Sequence, residues 1–272
     1  MKRQEFFDTI GTEEQAYWFG FFCADGCIYP NGKQVCFYLS SKDKLHLDKL
    51  ASIFNVSVRI KTSYDKRTRK NYEHVRCLLS SKYLCNSILD KDVPKQKTKV
   101  LNSKVFDYIP LELVHHFIRG YFDGDGGISQ KKNGLFCVYF VGTYEFVQFI
   151  KSILVNRLSI RNTKIIFQKC HKIQWSSKYE ILRIKEWMYK DASVWMERKK
   201  DIFDRVALNK KKTSKYKGVY KPKGGKSWRA RLFYDGKTRV IGSFETEELA
   251  AMAYDQRAKE VYGNNAVVNI YQ

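Results

Sequence analysis

Two aspartates, Asp25 and Asp125, stand 100 positions apart in matching surroundings. Asp25 closes the run WFGFFCADG, Trp18 to Gly26, and Asp125 closes IRGYFDGDG, Ile118 to Gly126. Each run is apolar, carries a central glycine and ends in Asp-Gly. A single Asp-Gly after a helix is an ordinary turn signal. Two of them in one duplicated context point to paired carboxylates. Hard oxygen donors with few histidines suit magnesium or another divalent cation. The chemistry such a pair supports is activation of water against a phosphate ester.

The elements that must position these carboxylates are two helices. Thr12 and Gln15 have capping-box spacing, so the first helix is expected to start there. Ala16, Gly20 and Ala24 then share one face, and His116, Gly120 and Gly124 share the equivalent face of the second helix, with Pro110 near its start. Glycine inside a helix is about 1 kcal/mol worse than alanine. Its use at the centre of both runs is explained by close backbone approach, so the helices should cross nearly in contact with both aspartates at one end. That end carries the negative pole of each helix dipole. Nothing basic follows immediately, since Gly26-Cys27 and Gly126-Gly127 come next. A divalent cation would relieve the conflict.

The whole chain suits a polyanionic partner. It has 272 residues, 50 Lys and Arg against 28 Asp and Glu, and a formal charge of +22. Such an excess points to nucleic acid. No apolar stretch is long enough to span a bilayer, and no membrane partner is expected; a basic membrane-surface protein is the weakest reading. Met1-Lys2-Arg3-Gln4-Glu5 has no apolar run behind it, so no secretory leader is expected. Seven scattered cysteines form no CxxC pair, which argues against structural zinc and a disulfide framework. Buried free thiols in an intracellular, reducing compartment account for them. Gly124-Asp125-Gly126-Gly127 lacks the lysine and spacing of a phosphate loop.

The pattern around each aspartate repeats as helix, two strands, helix, two strands, helix. Pro30-Asn31-Gly32 marks the first hairpin turn, and Lys42 to Phe54 reads as a helix with Leu45, Leu47, Leu50, Ile53 and Phe54 on its apolar side. Val56, Val58 and Ile60 alternate with Ser57, Arg59 and Lys61 as a strand should. Ser80-Ser81-Lys82-Tyr83 recurs as Ser176-Ser177-Lys178-Tyr179. The expected architecture is α+β: a pseudo-twofold pair of units over 1–94 and 95–206, a basic linker over 207–214, and a small three-stranded antiparallel sheet packed on one helix over 215–272. In that last segment Thr246 is the expected helix cap, Gly263 the stop, and Ala250, Ala253, Tyr254, Ala258 and Val261 the sheet-facing side.

With these residues in view, 12 to about 205 resembles a monomeric LAGLIDADG homing endonuclease with both motif copies in one chain. HFIRGYFDGDG is a close match and WFGFFCADG a looser one, with Cys23 where the motif has aspartate. Residues 214 to 270 resemble an ethylene-response-factor (APETALA-type) DNA-binding domain through SKYKGVY, WRARLFYDGKT, IGSFETEELAAMAYD and YGNNAVVN. The first resemblance implies metal-dependent cleavage of both strands of a long DNA site. It carries metal binding onto Asp25 and Asp125 and a basic residue near each centre onto Lys97 and Lys199. The Cys23 position is not the metal-binding one.

For DNA contact the expected residues are Arg59, Lys61 and Arg76 on a strand face, Arg67 and Arg69 in the basic tip between strands, and Gln168, Lys172 and Gln174 in the second unit. Arginine suits guanine and glutamine adenine. In the C-terminal segment they are Lys217, Tyr220, Lys223, Trp228, Arg229, Arg231 and Arg239. Lys217 and Tyr220 stand where plant members have arginine, so base preference does not transfer. Trp228 has an alternative place in the core. The expected partner is double-stranded DNA, bound by a monomer. The competing reading is a non-cleaving nucleic-acid binder, such as an intron-splicing maturase with intron RNA as partner.

Overall fold

Thr12 starts the first helix as its spacing predicts. Its hydroxyl accepts the Gln15 N–H at 3.2 Å, while Gln15 Oε1 accepts the Gly11 N–H at 3.0 Å. Helix α1 then runs Glu13–Asp25. The computed structural model describes residues 3–131, 134–208, 214–222 and 224–269. After α1 come strands β1 (Gly26–Ile28) and β2 (Gln34–Ser40), helix α2 (Lys44–Ile53), strands β3 (Arg59–Asp65) and β4 (Lys70–Ser80), and helix α3 (Lys82–Leu89). The second unit repeats the order with α4 (Val114–Asp125), β5 (Gly126–Gln130), β6 (Phe136–Gly142), α5 (Tyr144–Leu158), β7 (Ile166–Phe167), β8 (His171–Trp175) and α6 (Lys178–Met188). Helix α7 (Glu197–Leu208) follows, then β9 (Val219–Tyr220), β10 (Trp228–Tyr234), β11 (Lys237–Phe244) and α8 (Glu247–Tyr262).

Helices α1 and α4 cross in backbone contact. A Cβ built on Gly20 would overlap the Phe117 carbonyl oxygen, and one on Gly120 would overlap the Tyr17 carbonyl oxygen. A Cβ on Gly124 would overlap the Ala24 methyl. Glycine spacing therefore sets this crossing, because no side chain fits between the helices. Nine consecutive residues of α1, Ala16 to Ala24, are buried, which makes it a core element with no solvent face. His116 departs from the small-residue stripe: its ring lies tilted against that of His115, centroids 3.8 Å apart, and meets Arg119 Nη1 at 2.7 Å.

Two four-stranded antiparallel sheets flank this pair, in the orders β1-β2-β4-β3 and β5-β6-β8-β7. In the first, Val35, Phe37, Leu39, Val75, Cys77 and Leu79 are buried and join one core with α1 and α4. In the second, Val138, Phe140, Ile173 and Trp175 do the same. The residues between them in the strands face the other way. A third sheet, in the order β11-β10-β9, packs Ala230 and Leu232 on Ala250, Ala251, Tyr254 and Ala258 of α8 as a separate core. Thr246 caps α8 by accepting the Leu249 N–H at 3.1 Å.

Several local expectations change. A 3-10 turn, Ser41–Asp43, precedes α2, and Leu45 is 77% exposed instead of packing. β3 begins at Arg59, and Ile60 is 57% exposed. Alternation marks a buried face only where something covers it; β3 is an edge strand with six of its seven residues exposed. Cys170 is exposed, unlike the buried Cys23, Cys36, Cys77, Cys85 and Cys137. Much of the expected linker, 209–213, lies outside the described residues. Among the described residues no helix is long and apolar enough to cross a membrane.

Candidate active site

The crossing delivers both aspartates to one place. The Gly124 position lies 3.3 Å, measured from a Cβ built there, from Asp25 Oδ2, so the Asp25 carboxylate rests against the tip of α4. Burial, and then repulsion from Asp125, push Asp25 up to about 6. Burial also raises Asp125, while Lys97 and then Lys199 pull it back down. Asp125 thus opposes the ionisation of the shielded Asp25 carboxylate.

The positive charge absent from the local sequence arrives from far along the chain. Lys97, in a short 3-10 turn (Lys97–Lys99), donates to the Ala24 carbonyl at the end of α1. Lys199, on α7, lies within reach of four carbonyls at the end of α4: Phe122 at 2.7 Å, Asp123 at 2.6 Å, Gly124 at 3.3 Å and Gly126 at 2.7 Å. Three ammonium hydrogens serve four acceptors. Lys97 offsets the negative pole of α1 and Lys199 that of α4. Their charges also act across the pseudo-twofold: Lys199 lowers Asp25 more than Lys97 does, and Lys97 acts more strongly on Asp125. Burial lowers both ammoniums, Lys199 to about 8. At neutral pH Lys199 therefore stays mostly charged.

A divalent cation fits this arrangement. Among the described residues no cluster of three or more His, Cys, Asp or Glu occurs, so the protein offers two carboxylates and no closed cage. Magnesium is commonly held this way, by one or two carboxylates with water and phosphate oxygens completing the shell. The raised carboxylates are the physical reason a cation would be welcome.

Other residues here escaped a reading from spacing. Asp123 is 1% exposed; its Oδ2 accepts the Tyr17 hydroxyl at 2.6 Å and the Met196 N–H at 2.8 Å. Tyr17 also meets His46 Nε2 at 3.0 Å, and burial lowers His46 to about 3. Cys23, at the equivalent place in the first unit, is a buried thiol pushed up to about 12 by burial. Arg119 is fully buried; it donates to Glu13 Oε1 at 2.6 Å, Met188 O at 2.6 Å and Val194 O at 2.9 Å. The signal for it was present: an arginine inside an otherwise apolar helical run must be paired.

The strand register shows where the expected DNA-contact residues lie. Arg59 pairs with Arg76, Arg76 with Tyr38, and Lys61 with His74, so Arg59, Lys61 and Arg76 share the face of the first sheet turned away from the core. Arg67 and Arg69 sit in the β3–β4 turn, held by the Arg67 N–H to Asp65 Oδ1 at 2.8 Å. In the second sheet Gln174 pairs with Tyr139 and Lys172 with Val141, again on the open face, with the Lys172 ammonium 4.2 Å from the Tyr139 ring centroid. Gln168 lies in the turn after β7, off the strand rows.

The C-terminal stripe divides. Tyr220 pairs with Arg229, and Arg231 reaches over the Tyr220 ring at 4.8 Å, so these three share the open face. Trp228 has the parity of Ala230 and Leu232 and packs against the small core. Arg239 pairs with Leu232 and lies over the Tyr234 ring at 5.0 Å, on the helix side. Lys217 is half-buried, its N–H bonded to Asn269 Oδ1 at 2.7 Å. Lys223 lies outside the described residues. This segment also touches the second unit, where the Tyr179 hydroxyl donates to Val268 O at 3.1 Å.

The profile of the LAGLIDADG-like domain matches residues 12–87. No curated protein matches the chain significantly. The chain is similar to the homing endonuclease I-WcaI bound to its DNA recognition sequence: 14% identity, 70% of this chain and 87% of that one covered, TM-score 0.53. Full-length WhiA from Thermatoga maritima aligns at 18% identity over 78% of this chain and 67% of that one, TM-score 0.46. The LAGLIDADG meganuclease I-CpaMI bound to uncleaved DNA aligns at 13% identity over 71% and 90%, TM-score 0.47. Residues 12–87 match the LAGLIDADG-like domain, and 70% of the chain is similar in fold to the homing endonuclease I-WcaI.

Proposed function

We propose that this protein is a site-specific DNA endonuclease that makes a double-strand break in a long target. The observation that carries the reading is the convergence of Asp25 and Asp125, each with a lysine at its helix end, Lys97 half-buried and Lys199 buried. Asp25 and Asp125 would hold a divalent cation. When bound, the cation supplies an activated water and charge stabilisation at the leaving oxygen. Lys97 and Lys199 keep positive charge beside the carboxylates, where a phosphate gains negative charge in the transition state. The rigid α1–α4 crossing fixes the spacing of the two groups, so no reorganisation is needed on reaction.

DNA would lie along the open faces of the two larger sheets. Arg59, Lys61 and Arg76 on one side, and Lys172 and Gln174 on the other, present charge and donors there. Arg67, Arg69 and Gln168 extend this set from the hairpin turns. The units are proposed to span 1–94 and 95–206, joined through 207–214 to a DNA-binding segment over 215–272 of APETALA type. In that segment Tyr220, Arg229 and Arg231 are the contacts on the open face.

The test uses a plasmid carrying the sequences that flank the reading frame, joined as if the frame were absent. With magnesium, linear plasmid is expected; with EDTA, none. Tight binding with no nick or break in magnesium would overturn the nuclease reading in favour of a non-cleaving nucleic-acid binder, for which intron RNA is the next ligand to try.

A further inference from the structure

The lysine at the end of α4 is carried into place by a segment clamped from the opposite unit. Arg198 precedes Lys199 on α7. Its Nε donates to Asp43 Oδ1 at 2.7 Å and its Nη2 to Asp43 Oδ2 at 3.0 Å. Asp43 closes the 3-10 turn before α2, in the first unit, and is 7% exposed. A two-pronged arginine–carboxylate bond fixes direction as well as distance. The same helix start is gripped again by Lys49 of α2, which donates to Glu197 Oε1 at 2.5 Å and to Trp195 O at 3.3 Å. The segment before it is held by Glu13 of α1, which accepts the Ser193 N–H at 2.7 Å and the Val194 N–H at 3.1 Å. Lys97, by contrast, reaches Ala24 from a short 3-10 turn, Lys97–Lys99, with no such side-chain fork on that turn among the described residues. The two centres are therefore built unequally.

We infer that Asp43 and Arg198 are a positioning pair for Lys199: the first unit sets the place of the ammonium at the end of α4, and among the described residues no such fork holds the turn that carries Lys97. The structural part of this inference stands without the nuclease reading; only its consequence for cleavage rests on that reading. Asp43→Asn is the cleaner variant, because it keeps the Arg198 charge, which also acts on Asp25.

The test is lysine acetylation of the metal-free full chain with a water-soluble succinimidyl acetate, quantified by peptide mass spectrometry. Lys199 is 4% exposed and should be protected in the parent. In Asp43→Asn its labelling rate is expected to rise roughly tenfold through local opening of α7, with Lys97 changed less than about twofold. Arg198→Lys should fall between, since an ammonium cannot reproduce the fork. Equal rises at both lysines, or none at Lys199, would overturn the inference. A second arm follows each strand of the plasmid target with separate end labels. Asp43→Asn should slow one strand by about tenfold in single turnover and leave the other within about twofold. A parallel fall of both strands would overturn the inference. If labelling responds as expected while the parent cuts no DNA, positioning stands and the nuclease reading fails.

Discussion

Replacing Asp25 or Asp125 with asparagine is expected to lower cleavage at saturating magnesium by about a thousand-fold, or on the order of 4 kcal/mol of transition-state stabilisation. DNA binding, measured by anisotropy, should hold within about threefold, because the contacts proposed for the sheet faces are untouched. The same Asp25→Asn change should stabilise the metal-free fold at neutral pH. Asp25 sits at about 6 in the folded chain against an ordinary 3.8. Its contribution to stability is full below pH 3.8 and is lost as pH rises through about 6. At pH 7 the ionised carboxylate opposes folding by roughly 2 kcal/mol after allowance for screening. Asparagine removes that opposition. Melting at pH 7 should therefore rise while activity falls, and the gain should vanish near pH 4. Activity near parental levels in both single variants would contradict the assignment.

Gly120→Ala should be the most damaging small change in the fold. Alanine improves helix propensity by about 1 kcal/mol. Here the added carbon would overlap the Tyr17 carbonyl and crowd the Phe21 nitrogen, both backbone atoms that cannot rotate away. Forcing the helices apart strains a close-packed core, at about 3 kcal/mol, so the overlap outweighs the propensity. Urea unfolding should show the loss, and cleavage should fall as well, because separated helices carry the carboxylates apart. A neutral or stabilising Gly120→Ala would mean that α1 and α4 do not cross in contact.

What could be read from the amino acids, and what could not, divides along physical lines. Gly20, Gly120 and the Thr12 cap were legible because backbone contact and capping leave local marks. Ile60 misled because alternation reports a buried face only when a helix covers it, and β3 is uncovered. Arg239 lies opposite Leu232, on the helix side, for a single reason: the register shifts between Ala230 and Arg231, and one extra residue turns the next side chains to the other face. Trp228 already shared the parity of Ala230, so its place beside the small core followed from the strand itself. The Asp43–Arg198 fork spans 155 positions and has no local trace at all. Asp123 is the subtler case. It lies in the motif beside a predicted ligand, yet its carboxylate holds Tyr17 and Met196 instead of facing the cleft. A motif names the positions and leaves the direction of each side chain to packing.

Asp25 and Asp125 come together at the tips of the crossed helices, near enough for the charge of one to act on the other. Carboxylate carbon-13 NMR of aspartate-labelled, metal-free protein measures this directly. The Asp25 midpoint should lie near 6 in the parent and move down toward the ordinary carboxylate range in Asp125→Asn, because the opposing charge has gone. A parental midpoint near 3.8, or one that does not move when Asp125 is neutralised, would place the carboxylates apart and contradict the account.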